Sequence, residues 1–85
     1  MTLLIINFEL KEKKRNYKTL FNELYYLGAL QLTKETWIIK RHYTHATTFR
    51  NHLIQFIYET DSLIVSKIQE FAFYRTKNLP QDLPN

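Results

Sequence analysis

The chain has 85 residues, 45% of them apolar and 15% aromatic, and its twelve Lys and Arg outnumber eight Asp and Glu for a formal net charge of +4. That length holds one domain with one core, the aromatic content excludes a disordered chain, and the lack of cysteine removes disulfides and thiolate metal centres. A chain this short hides only roughly 60–65% of the surface it exposes when unfolded, so close packing or self-association has to supply its stability.

Residues 3–10 (LLIINFEL) form a nearly continuous apolar run of strand length, which predicts a central strand buried on both faces. A polar run over 11–16 follows. Tyr17, Leu20, Phe21, Leu24 and Leu27 then recur at helical spacing, with Gly28 where a helix C-cap belongs. Residues 29–33 and 35–41 are expected as two strands around a tight turn, the second of them β-branched and aromatic. Thr44 is the expected N-cap of a second helix, whose apolar stripe is Phe49, Leu53, Phe56 and Ile57. The turn-like Glu59-Thr60-Asp61 introduces a strand over 62–68.

The order strand, helix, strand, strand, helix, strand predicts an α+β fold, a ferredoxin-like βαββαβ single domain over residues 1–77. Residues 70–75 (EFAFYR) alternate as an additional C-terminal strand would. Such a strand covers an edge or adds to a neighbour's sheet, so a homodimer is expected with Phe71, Phe73 and Tyr74 at its interface. The alternative is that this segment packs back on its own subunit. Residues 78–85, with Pro80 and Pro84, read as an irregular tail. No apolar stretch approaches the ~20 residues of a membrane span, and the first ten residues lack a basic leader region, so a cytoplasmic protein without membrane contact is expected.

The basic residues are grouped. Lys11, Lys13, Lys14, Arg15 and Lys18 lie in one loop and helix start, and Lys40, Arg41 and His42 end the third predicted strand. With strands one and three adjacent and parallel, both groups leave the sheet at one edge. There they form a candidate contact surface for the phosphates of RNA or DNA. The plainer reading is a solvated loop that keeps the protein soluble. Tyr25, Tyr26, Tyr43 and Trp37 are candidate base-stacking groups, Trp37 being more simply core. His42, His45 and His52 lack the Glu-x-x-His spacing of a metal site and read as surface or helix-end residues. Ser62 and Ser66 have no base at a recognisable spacing, and one glycine does not make a phosphate-cradling loop.

The opening LLIINFEL, the LGA of residues 27–29, the ETWIIK of residues 35–40, the second helix and the apolar fourth strand resemble the small CRISPR-associated adaptation subunits. They are likewise similar to the VapD-type and SinR-like relatives of those subunits. The resemblance spans almost the whole chain, mostly at core positions. It implies a nucleic-acid-binding homodimer, in some members a metal-dependent endoribonuclease and in others a structural adaptor. It also implies an acidic residue at the end of the first strand, near the dimer axis, as the metal-binding catalytic group. NFEL aligned on the family's Tyr-Asp-Leu triplet puts Glu9 at that place, with Mg²⁺ or Mn²⁺ as the implied cofactor. Two departures stand out, Glu9 for Asp and Phe8 for Tyr, and the longer side chain displaces the carboxylate by more than a bond length.

Two function classes follow. The first is a nucleic-acid-binding homodimer with or without ribonuclease chemistry. The second is a non-catalytic protein-binding module, such as an antitoxin, an inhibitor or a phage-borne relative, acting through sheet edges or tail.

Overall fold

The computed structural model describes residues 2–12, 15–42, 44–78 and 83. Strand β1 (Thr2–Glu9) is followed by helix α1 (Lys18–Tyr26), strands β2 (Leu30–Thr33) and β3 (Thr36–Arg41), helix α2 (Ala46–Leu53) with a short 3₁₀ turn (Ile54–Phe56), and strand β4 (Ser62–Ile68). The strands form one antiparallel sheet in the order β2-β3-β1-β4. This four-stranded α+β arrangement is consistent with the ferredoxin-like topology.

Both helices cover one face of the sheet. Leu4, Ile6 and Phe8 of β1, with Trp37 and Ile39 of β3, pack there against Leu20 and Leu24 of α1 and Phe49 and Leu53 of α2. Because side chains alternate along a strand, Leu3 and Ile5 point to the opposite face. Gly28 ends α1 at φ 87°, a left-handed conformation that a β-carbon would oppose, and the Ala29 amide closes the turn on the Leu24 carbonyl at 2.9 Å.

Three expectations are corrected. First, β3 runs antiparallel to β1, with Leu3 beside Lys40 and Thr2 beside Arg41. The right-handed crossover through α1 returns β2 parallel to β1, and the tight β2–β3 turn then reverses the chain, so no parallel neighbour is possible. Second, residues 70–75 form no fifth strand. The segment instead leaves β4 towards β2. Phe71 packs on the open face with Leu3, Ile5, Leu30 and Ile68, Leu83 is buried there with Leu32 and Ile38, and the Lys77 amide donates to the Leu32 carbonyl at 2.7 Å. Burying an aromatic or leucine side chain contributes about 1.5–3 kcal/mol, more than the ~1 kcal/mol net of an edge hydrogen bond exchanged with water, so covering the apolar face wins over extending the edge. Third, the N-cap of α2 is His45, and the Thr44 hydroxyl donates to the His42 carbonyl instead.

Candidate nucleic-acid interface

At the C-terminal end of β1 a polar corner is tied together by one carboxylate. Asp61 accepts the Lys11 amide, the Tyr17 hydroxyl and the Tyr58 amide, each at 2.8 Å. The Tyr17 oxygen in turn accepts the Glu12 amide at 3.1 Å. Partial burial opposes ionisation of Asp61, but the Tyr58 and Lys11 amides and the Tyr17 hydroxyl outweigh it and hold its carboxyl below the ordinary value. Burial, then the hydrogen bond to Asp61, pushes the Tyr17 phenol above its ordinary value.

Other acids are used in the same way. Glu35 accepts the Leu10 amide at 2.8 Å, and Glu12 accepts the Thr60 hydroxyl at 2.6 Å. Glu23 on α1 pairs with His52 of α2 at 2.5 Å, bridging the two helices. A cleft of about 600 Å³ opens at the corner, lined by Leu10, Tyr17, Phe21, Lys34 and Glu35.

The predicted site residues fall as follows. Lys11 makes a 3.1 Å ion pair with Glu9, and both side chains are more than half exposed. Arg15 lies 3.7 Å from Glu12 and stacks over the Tyr58 ring at 4.6 Å. Lys18 opens α1 and is exposed. Lys13, Lys14 and Tyr43 lie outside the described residues. The antiparallel register puts Lys40 and Arg41 at the other end of the sheet. Eight residues of β1 and its extension separate the Leu3–Lys40 row from Lys11, about 26 Å at strand rise. The two basic groups therefore do not converge on one edge.

Arg41 instead lines a cleft of about 310 Å³ with Leu27, Thr44, Thr48, Phe49 and His52. Trp37 is wholly buried, stacked on Phe21 at 5.8 Å with Tyr25 edge-on at 5.2 Å, and so offers no face to a base. Tyr25 and Tyr26 are exposed at 61% and 84%. In the tail, Phe71 is half-buried on the open face while Phe73 and Tyr74 remain exposed.

A divalent cation of the Mg²⁺ or Mn²⁺ kind needs about six oxygen ligands. Glu9 brings one carboxylate already opposed by the Lys11 ammonium, and among the described residues no three His, Asp or Glu side chains gather to hold a metal ion. The described residues of one chain do not fit that cofactor.

The Asp61–Tyr17 corner is what sequence reasoning missed. Tyr17 counts as one more apolar position in a helical stripe, and its partner lies 44 residues away. The one available signal is an Asp three residues after Tyr58 and immediately before a strand, the pattern of a side-chain-closed turn. Among the described residues no helix is long and apolar enough to cross a membrane. No family model, no curated protein and no solved structure matches the chain.

Proposed function

We propose that the protein is a small nucleic-acid-binding domain that holds its ligand chiefly through phosphate contacts. The observation carrying this reading is an asymmetry in how the charges are used. Four of the acids serve as acceptors within the fold: Asp61, Glu35, Glu12 and Glu23 close backbone, hydroxyl or imidazole contacts that hold it. Among the described residues, Lys18, Lys34, Arg41 and Lys67 pair with no acid. A chain of net charge +4 thereby presents cations outward at both ends of its sheet, which favours a polyanion with release of its counterions.

In gel-shift titrations with RNA and DNA as separate arms, binding is expected at low salt. About four phosphate contacts to a duplex would lower the affinity on the order of 100-fold between 50 and 200 mM salt. Arg41→Gln and Lys34→Gln should each flatten that dependence by roughly one contact. Absence of binding at low salt, or binding indifferent to salt, would remove this reading and leave a protein-binding module.

The ribonuclease form of the proposal, resting on the resemblance, has its own test. RNA incubated with Mg²⁺ or Mn²⁺ is compared for wild type and Glu9→Ala. Cleavage that the substitution leaves unchanged excludes Glu9 from the chemistry, and cleavage abolished by it while gel-shift affinity is kept supports it.

A further inference from the structure

The tail crosses the open face of the sheet without burying all of its rings. Phe71 is anchored on that face with Leu3, Ile5 and Ile68. Further along, the Lys77 amide is tied to the Leu32 carbonyl, and the Asn78 side-chain amide donates to the Gln31 carbonyl at 2.8 Å. Between these fixed points Phe73 and Tyr74 stand 45% and 78% exposed. Their exposure is set by a chain held at both ends. Arg75 turns the backbone here at φ 54°, a left-handed conformation that its β-carbon opposes and that no other non-glycine among the described residues adopts. At this turn the Arg75 guanidinium lies over the Tyr74 ring, 4.9 Å from its centroid, and the Phe73 ring leans on Phe71 at 6.3 Å. A strained residue that holds rings and a cation in water does nothing for the core, and such outliers gather where a ligand is bound.

We propose that Phe73, Tyr74 and Arg75 form a stacking platform for one or two bases of a single-stranded nucleic acid. The proposal rests on the nucleic-acid reading above and adds the form of strand that is taken. Charge selects this occupant. Arg75 and Lys77 follow the rings, and among the described residues neither meets a carboxylate. Glu70 is the one acid in residues 69–78. Aromatic faces beside unpaired cations suit a ligand that alternates flat π-systems with phosphates.

The rings also separate the two forms of nucleic acid. A duplex keeps its base faces stacked inside and offers this surface only groove edges and phosphates, whereas a single strand presents the faces themselves. A base laid on Tyr74 opposite the guanidinium completes a stack that the chain has already half built. Arg75, held beside it, then reaches the adjoining phosphate through a charge-assisted hydrogen bond.

The test is a set of fluorescence-anisotropy titrations of the full chain at low salt. The probes are oligo(U) and oligo(dT) of about 12 nucleotides and a mixed-sequence duplex of that length. Tyr74→Ala, at an exposed position that leaves the core intact, should weaken a single strand about fivefold or more while the circular dichroism stays native. Its duplex affinity and its salt dependence should not change, because stacking releases no counterions. Tyr74→Phe keeps the ring and should bind as the wild type does. Arg75→Gln should flatten the salt dependence of single-strand binding by roughly one contact. If neither form binds the wild type, this proposal falls together with the nucleic-acid reading. A Tyr74→Ala variant that keeps its single-strand affinity, or that weakens both forms equally, overturns the platform alone. So does a two-chain mass in light scattering that Phe73→Ala with Tyr74→Ala reduces to one chain, because the rings would then lie between copies.

Discussion

Trp37→Ala should lower the melting temperature by at least about 12 °C and leave a large fraction of the chain unfolded under mild conditions. The indole is wholly buried, with Phe21 stacked on it and Tyr25 edge-on. Truncating a tryptophan in a core costs about 3–5 kcal/mol, because the lost burial adds to the cavity left behind. A domain of this size holds on the order of 4–13 kcal/mol in total, and each kcal/mol moves the melting point by about 4–8 °C. Trp37→Phe should cost distinctly less. The indole N–H is buried with no acceptor among the described residues, so phenylalanine keeps an aromatic ring in the layer and removes that donor. Urea unfolding followed by circular dichroism measures both, since the substitutions delete the chain's one tryptophan. Equal losses for the two variants would show that ring packing is not what the site supplies.

Asp61→Ala should cost about 2–3 kcal/mol at neutral pH, less than the sum of three charge-assisted bonds because the carboxylate is partly exposed and water replaces part of what is lost. Its acid dependence follows from the depressed folded-state value. The contribution of the carboxylate is complete above the unfolded value of 3.8 and disappears as the pH falls through the lower folded value. Wild-type stability should therefore fall as the pH drops below about 4, and Asp61→Asn should be less stable at pH 7 yet flatter through that window. Urea midpoints across pH 2–7 decide the matter. A variant whose acid profile runs parallel to the wild type would show that Asp61 is not the group being titrated.

What could be read from residue order was whatever repeats along the chain. The strand over Ser62–Ile68 was placed to the residue, because a β-branched run bounded by turn residues has few other conformations. Gly28 marked the end of α1 because only glycine adopts that turn without cost. The helix stripes named Leu20, Leu24, Phe49 and Leu53, all of them buried. Strand polarity is legible too: two reversals between β1 and β3 fix it, and they set Lys40 and Arg41 at the opposite end of the sheet from Lys11. Nothing periodic joins Tyr17 to Asp61 across 44 residues, so the polar corner shows in the sequence only as the turn that Asp61 closes on Tyr58. The tail's alternating aromatics suit an edge and a face equally, and only the apolar surface of Leu3, Ile5 and Ile38 decides between them. For the candidate site, residue types were visible, whereas their pairing was not: Lys11 looks like a phosphate ligand until Glu9 is found beside it.

The central position of β1 also bears on how the protein is made. Its first partner, β3, begins at Thr36, and its second, β4, is complete only at Ile68. At translation rates of 5–20 residues per second, the roughly 60 residues that follow β1 take about 3–12 s to appear. Until β3 is complete at Arg41, about halfway through that interval, LLIINF is an apolar strand with neither neighbour in place, and until Ile68 it lacks the second, while loops and strands form in microseconds once their partners exist. Of the four strands, the one made first thus waits longest for its second neighbour, and the nascent domain carries an incompletely paired apolar segment for several seconds.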